Sequence, residues 1–113
     1  MVSKYAPKQG DIVFLDFNPT LGHEQNGKRP AIVISNNVFN KNTHMIIVCP
    51  ITSNEKEYPT HYLLEDTKKI MGSVLCEHIR SIDYDIRNVK FIERASDNDI
   101  LSVITLMSAC IEN

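Results

Sequence analysis

Met45-Ile46-Ile47-Val48-Cys49 is an unbroken apolar run ended by Pro50, and no other segment restricts the fold so strongly. A strand with one face in water alternates apolar and polar residues, whereas a continuous run of this length reads as a strand buried on both faces. Two further strands precede it, Gly10-Asp11-Ile12-Val13-Phe14-Leu15-Asp16-Phe17 and Pro30-Ala31-Ile32-Val33-Ile34-Ser35. Shorter strands are predicted at His61-Tyr62-Leu63-Leu64, over Ser73 to Arg80, and at Val89-Lys90-Phe91-Ile92-Glu93. Many short strands separated by loops predict a mainly β (α+β) chain, a small curled sheet or barrel with short helices. Asn36 to Asn42 is turn-rich and has room for one helical turn.

The C-terminus changes character. Ser96 can cap a helix whose first turn carries Asp97 and Asp99, acids that suit the positive end of a helix. Beyond it Ile100, Val103, Ile104, Leu106, Met107, Cys110 and Ile111 fall on an arc of roughly 160°, opposite Ser102, Thr105 and Ser108. This helix is expected to pack on the sheet or on a second subunit.

At 113 residues, without repeats, low-complexity tracts or linkers, the chain is expected to form one domain over 1–113. Hydrophobic residues at 42% and charged residues at 23% are those of a globular protein rather than a disordered one. No segment approaches the ~20 apolar residues of a membrane span, and no signal-peptide core is evident, so the expected location is cytoplasmic with no membrane partner. Cys49, Cys76 and Cys110 are odd in number and widely spaced, which favours buried reduced thiols over a disulfide framework or zinc site. A net charge of −2 does not advertise a polyanion partner, so nucleic-acid binding would have to use a local patch.

Chemistry concentrates in Gly22-His23-Glu24-Gln25-Asn26-Gly27-Lys28-Arg29-Pro30, a polar loop between the first two strands. No zinc-binding pair of histidines, nucleophile elbow, phosphate loop or dinucleotide fingerprint is present, so no metal or cofactor is expected. What remains suits phosphate: Glu24 as proton acceptor, Arg29 as a fork that can hold two phosphate oxygens, and the Thr52 and Ser53 hydroxyls after Pro50. Cleaving RNA without a metal needs a group to take the 2′-hydroxyl proton, a fixed cation and a proton for the leaving oxygen. Taken singly, each residue also has a plainer reading: Arg29 in a strand-end ion pair, Glu24 and His23 solvated, Thr52-Ser53-Asn54 as a turn, and His78 as a structural histidine beside Glu77.

As whole strings these segments resemble the MazF/PemK family of toxin endoribonucleases from bacterial toxin–antitoxin pairs. The carriers are Gly10-Asp11-Ile12-Val13 with Asp16-Phe17-Asn18-Pro19; Gly22-x-Glu24-Gln25-x-Gly27-x-Arg29-Pro30-Ala31-x-Val33; Val48-Cys49-Pro50-Ile51-Thr52; and Ser73-Val74-Leu75 leading into Ile79-Arg80-Ser81-Ile82. The resemblance implies an SH3-like barrel forming a homodimer. It implies metal-independent, ribosome-independent, sequence-selective cleavage of single-stranded RNA, leaving 2′,3′-cyclic phosphate and 5′-hydroxyl ends. Arg29 and Thr52 fall on the family's catalytic pair, and Glu24 on a residue with a proton-transfer role in some members. Phe17 and Asn18 fall where the first strand opens into the RNA-binding loop; Phe17 would either stack on an unpaired base or pack in the core. Lys28 and Arg80 would contact phosphates. His78 stands where the family often has glutamine, so its substrate contact is open. The implied partner is an antitoxin with an acidic or amphipathic disordered tail. The alternatives are a CcdB-like gyrase-binding toxin and a catalytically silent interaction module of the same fold.

Overall fold

The structure, a computed structural model, describes residues 5–17, 27–54 and 57–112. Among these described residues seven strands and two helices follow in the order β1 (Asp11–Asp16), β2 (Lys28–Val33), α1 (Asn37–Thr43), β3 (Met45–Thr52), β4 (His61–Leu63), β5 (Ser73–Leu75), β6 (Arg80–Asp83), β7 (Lys90–Arg94) and α2 (Asp97–Ala109). All strand pairs are antiparallel, in the order β4-β5-β3-β2-β1-β7 with β6 also on β3.

β3 is buried on both sides, as its composition demands. Ile46 and Val48 join Val13, Leu15, Phe17, Ala31, Val33, Ile82 and Tyr84 in one core, while Cys49 and Ile51 join Ile12, Ile32, Val74, Cys76, Ile100 and Val103 in the other. The period of two along β1 and β2 sorts their residues between these cores.

The expected barrel does not close. β3 gives one edge to β2 and divides its other edge between two strands, β6 along Met45–Val48 and β5 at Ile51 and Thr52. The sheet therefore branches at β3, and the end strands β4 and β7 are not paired with each other. Pro50 sits at the branch. The Ile47 carbonyl accepts from Ile34, so alternation turns the nitrogen of Pro50 away from β2, toward the gap between β6 and β5 where no strand needs its missing N–H. The same gap breaks the single strand expected from Ser73 to Arg80. To reach two different stretches of one edge the chain must step across, and it turns over 76–79 between β5 and β6.

Asn36 caps α1, its side chain accepting from the Phe39 amide at 2.8 Å, and seven residues are helical rather than one turn. Ser96 caps α2 as expected, accepting from Asp99 at 3.0 Å. Ile100 and Val103 enter the core, with Ile104, Leu106 and Met107 packed against it. The helix ends at Ala109, which leaves Cys110 and Ile111 exposed instead of buried. Cys49 and Cys76 are buried free thiols, and burial pushes both up, Cys76 to about 12.

Candidate active site

The polar loop leaves the sheet from a closed stem. Phe17 donates its amide to the Gly27 carbonyl at 3.0 Å, and Asp16 pairs with Lys28. Gly27 has φ +77° with open space where a Cβ would stand, so glycine is favoured there by backbone conformation rather than by crowding. Glu24 and Asn18, like His23, lie outside the described residues.

Register places the next pair. Leu15 is opposite Arg29, so Arg29 shares the face of the Leu15 core and sits half-buried at its rim. Between β2 and β3 the pairs are Val33 with Val48, Ile32 with Cys49 and Ala31 with Pro50. Run on by two residues, this register sets Arg29 opposite Thr52 on the same face. Thr52 is half-buried, and its Oγ1 accepts from the Asn54 amide at 3.2 Å, which leaves the hydroxyl proton to donate elsewhere. Ser53, the next residue, is exposed. Lys28 faces the other way. It lines a groove of about 570 Å³ with Phe14, Leu15, Asp16, Ile86, Arg87, Asn88 and Lys90.

Phe17 is in the core, 1% exposed, and of its two readings the structure takes the packing one. Its ring face is already used: the Arg80 guanidinium carbon lies 5.8 Å from the ring centre, and Arg80 donates from Nη1 to the Phe17 carbonyl. Arg80 pairs with Val48 on β6 and so shares the Arg29 face. It braces the foot of the loop from the edge of the site.

The same face continues over β5 and β4, because Ser73 pairs with Thr52 and His61 with Leu75. There His78 lines a cavity of about 280 Å³ with Tyr58, His61, Leu75 and Glu77. Glu77 accepts from Thr60 Oγ1 at 2.8 Å and lies 2.9 Å from His61 Nε2 and 3.6 Å from His78 Nε2. Burial pushes the Glu77 carboxyl up, but hydrogen bonds from its own amide, Thr60 and His61 outweigh burial and hold it below the usual range. Among the described residues His61 Nδ1 is buried without a partner, consistent with a proton on Nε2 pointing at Glu77. Neither Tyr58 nor His61 was expected from sequence; the alternation of β4 would have put His61 on this face once β4 was paired.

Among the described residues no group of three or more His, Cys, Asp or Glu side chains is placed to hold a metal ion, and no helix is long and apolar enough to cross a membrane. The arrangement offers a guanidinium and a hydroxyl on adjacent strands, at the foot of a loop carrying a carboxylate in its sequence. These are groups able to hold two oxygens of a phosphodiester.

The family model of the PemK-like, MazF-like toxin of type II toxin–antitoxin systems matches residues 8–108. The chain is 39% identical over 87 residues to the endoribonuclease toxin MazF of Escherichia coli K12, an alignment covering 77% of this chain and 78% of that one. It superposes on crystalline MazF from Deinococcus radiodurans with a TM-score of 0.90 at 34% identity, covering 96% and 98% of the two chains. A chain of the form-II MazE–MazF crystal structure from the same organism gives 0.83 at 34% identity, covering 96% and 97%. The match takes in β1 to β7 and nearly all of α2, so this chain belongs to the PemK-like, MazF-like family of toxins of type II toxin–antitoxin systems.

Proposed function

We propose that this toxin is a sequence-selective endoribonuclease that cuts single-stranded RNA without a metal ion or the ribosome, acting as one domain. What supports the reading is the β2–β3 register, which ends at Ala31 and Pro50 and, run on by two residues, would bring Arg29 opposite Thr52 on one face, at the foot of the Gly22–Gly27 loop. The relatives named as endoribonucleases support the activity.

RNA would lie across this face with its bases unstacked. Arg29 and the Thr52 hydroxyl hold the non-bridging oxygens of the scissile phosphate and stabilise the added charge of the phosphorane. Glu24 takes the proton of the 2′-hydroxyl, whose oxygen attacks phosphorus; the bond to the 5′ oxygen breaks, and that oxygen leaves with a proton from an acid in the site. The products are a 2′,3′-cyclic phosphate and a 5′-hydroxyl. His78, Ser53 and Arg80 flank this path as substrate contacts, and Asn18 belongs with them on its sequence position. Phe17 contributes from beneath, by holding the loop stem, and Lys28 leaves β2 on the opposite face from Arg29.

The toxin is proposed to act as a homodimer and to be silenced by a cognate antitoxin, as the MazE–MazF complex suggests. Gyrase binding is not favoured, because the relatives are named for RNA cleavage. Incubating the purified protein with mixed-sequence RNA in EDTA tests the reading. Sequenced ends should show one short consensus with 5′-hydroxyl termini; intact RNA, or an Arg29→Ala variant as fast as the wild type, would sink it.

A further inference from the structure

Gly72 lies just before β5 with φ +145°. A Cβ built on it would stand 2.2 Å from the Thr52 carbonyl oxygen, 3.0 Å from the Thr52 carbonyl carbon and 3.4 Å from Ser53 Cα. All three are backbone atoms, so no side-chain rotation could relieve the contact. Ordinary contact begins near 3.4 Å, so any side chain at 72 would force the two backbones apart by about 1 Å.

The chain that delivers Gly72 to this place is tied down along its length. The Asp99 carboxylate on α2 accepts from the amides of Glu65 at 3.3 Å and Asp66 at 3.1 Å. The Glu93 carboxylate on β7 accepts from the amides of Lys68 at 3.0 Å and of Lys69 and Ile70 at 2.8 Å each. The Gly72 carbonyl then accepts from Leu64 at 3.0 Å, closing the segment on itself. Neither β7 nor α2 carries a residue of the site, yet their carboxylates fix a stretch that ends against the Thr52 peptide.

We propose that Gly72 is a positioning residue for RNA cleavage. Its bare backbone, presented by the segment that Glu93 and Asp99 hold, sets the Thr52 peptide and with it the spacing of the Thr52 hydroxyl from the Arg29 guanidinium. The inference rests on the assignment of Thr52 to the reacting phosphate. Glycine is required here for the approach of another strand's backbone as well as for its own dihedral.

The test compares Gly72→Ala, Thr52→Ala and the double variant in the full-length toxin, with a short fluorogenic RNA bearing the mapped cleavage sequence. Binding is read separately with the same RNA carrying a 2′-deoxy nucleotide at the cut. A 1 Å displacement of a reacting group predicts a fall of about 10²-fold in the single-turnover rate of Gly72→Ala, with affinity for the uncleavable RNA held within roughly twofold. In the Thr52→Ala background the glycine substitution should remove nothing further, which a general loosening of the fold would not reproduce. Wild-type speed in Gly72→Ala, equal losses of rate and affinity, or losses that multiply in the double variant would overturn the inference while leaving Thr52 in the site. Wild-type speed in Thr52→Ala would remove the site assignment and this inference together. If Gly72→Ala does not fold, Glu93→Ala frees the segment without touching 72. Its rate should fall in the wild-type background and stay level in the Thr52→Ala background, and an unchanged rate in the first case counts against the proposal.

Discussion

Asp99→Ala is predicted to destabilise the fold strongly. Asp99 is fully buried, and its carboxylate accepts from the Tyr62 hydroxyl at 2.6 Å and from the Glu65 and Asp66 amides. The Tyr62 bond is the shortest of the three, and bonds to a charged acceptor contribute about 1.5–3 kcal/mol. Glu65 and Asp66 are exposed, so water can reclaim their amides and each is assigned about 0.5 kcal/mol. The sum is about 3 kcal/mol, against the roughly 6–17 kcal/mol expected for a chain of this length. Thermal unfolding followed by circular dichroism should therefore shift down by roughly 10–20 °C. Asp99→Asn keeps one acceptor for Tyr62 and should lose about half as much. The Tyr62 phenol, pushed up to about 12 by burial first and by its bond to Asp99 next, should return toward 10 in Asp99→Ala, as read by ultraviolet titration. A variant within about 1 kcal/mol of wild type, or an unmoved Tyr62 titration, would refute this account of the buried acid.

Phe17→Leu should cost about 1–2 kcal/mol in urea unfolding and leave RNA affinity near wild type; a stable variant that no longer binds RNA would restore a stacking role to the ring. For Glu93, burial pushes the carboxyl up but the Lys68, Ile70 and Lys69 amides outweigh it, so its folded value is lowered. Its stabilisation is then fully present above the unfolded glutamate value of about 4.3 and is lost as pH falls through the lower folded value. Amide exchange at 68–70 should stay protected at pH 6 and rise selectively toward pH 3, and equal rates at both, after correction for intrinsic exchange, would contradict it. Lys28→Ala should change the single-turnover rate far less than Arg29→Ala, whose loss is expected at about 10²–10³-fold, because the two side chains leave β2 on opposite faces.

Local pattern made β1, β2, β3 and the Ser96 cap legible, since each depends on near neighbours in sequence. Phe17 could have been placed as well, because Val13, Leu15 and Phe17 follow the period of two onto one face. The break at 76–79 was hidden, since it exists only because β5 and β6 must share one edge of β3 on either side of Pro50. Asp99 read as a helix-dipole acid, and its actual partners lie 33 to 37 residues away. Arg29 and Thr52 entered through motif resemblance, and only the β2–β3 register, run on past Ala31 and Pro50, relates one to the other. Gly72 carried no local signal at all, since its constraint comes from the backbone of another strand.

The branching of β3 has a consequence for control. Arg29 belongs to the larger half of the sheet, built on β1, β2, β6 and β7, while Thr52 lies where β3 has passed to β5 and β4. The two groups proposed to hold one phosphate thus stand on either side of Pro50, where the outer edge of β3 changes its neighbour from β6 to β5. A ligand clamped along the outer edge of β4, the end strand of the sheet, rather than on the face that carries His61, would act as a lever on the proposed grip. Such an inhibitor would lower kcat without raising KM, a signature that steady-state kinetics separates from simple occlusion of the site.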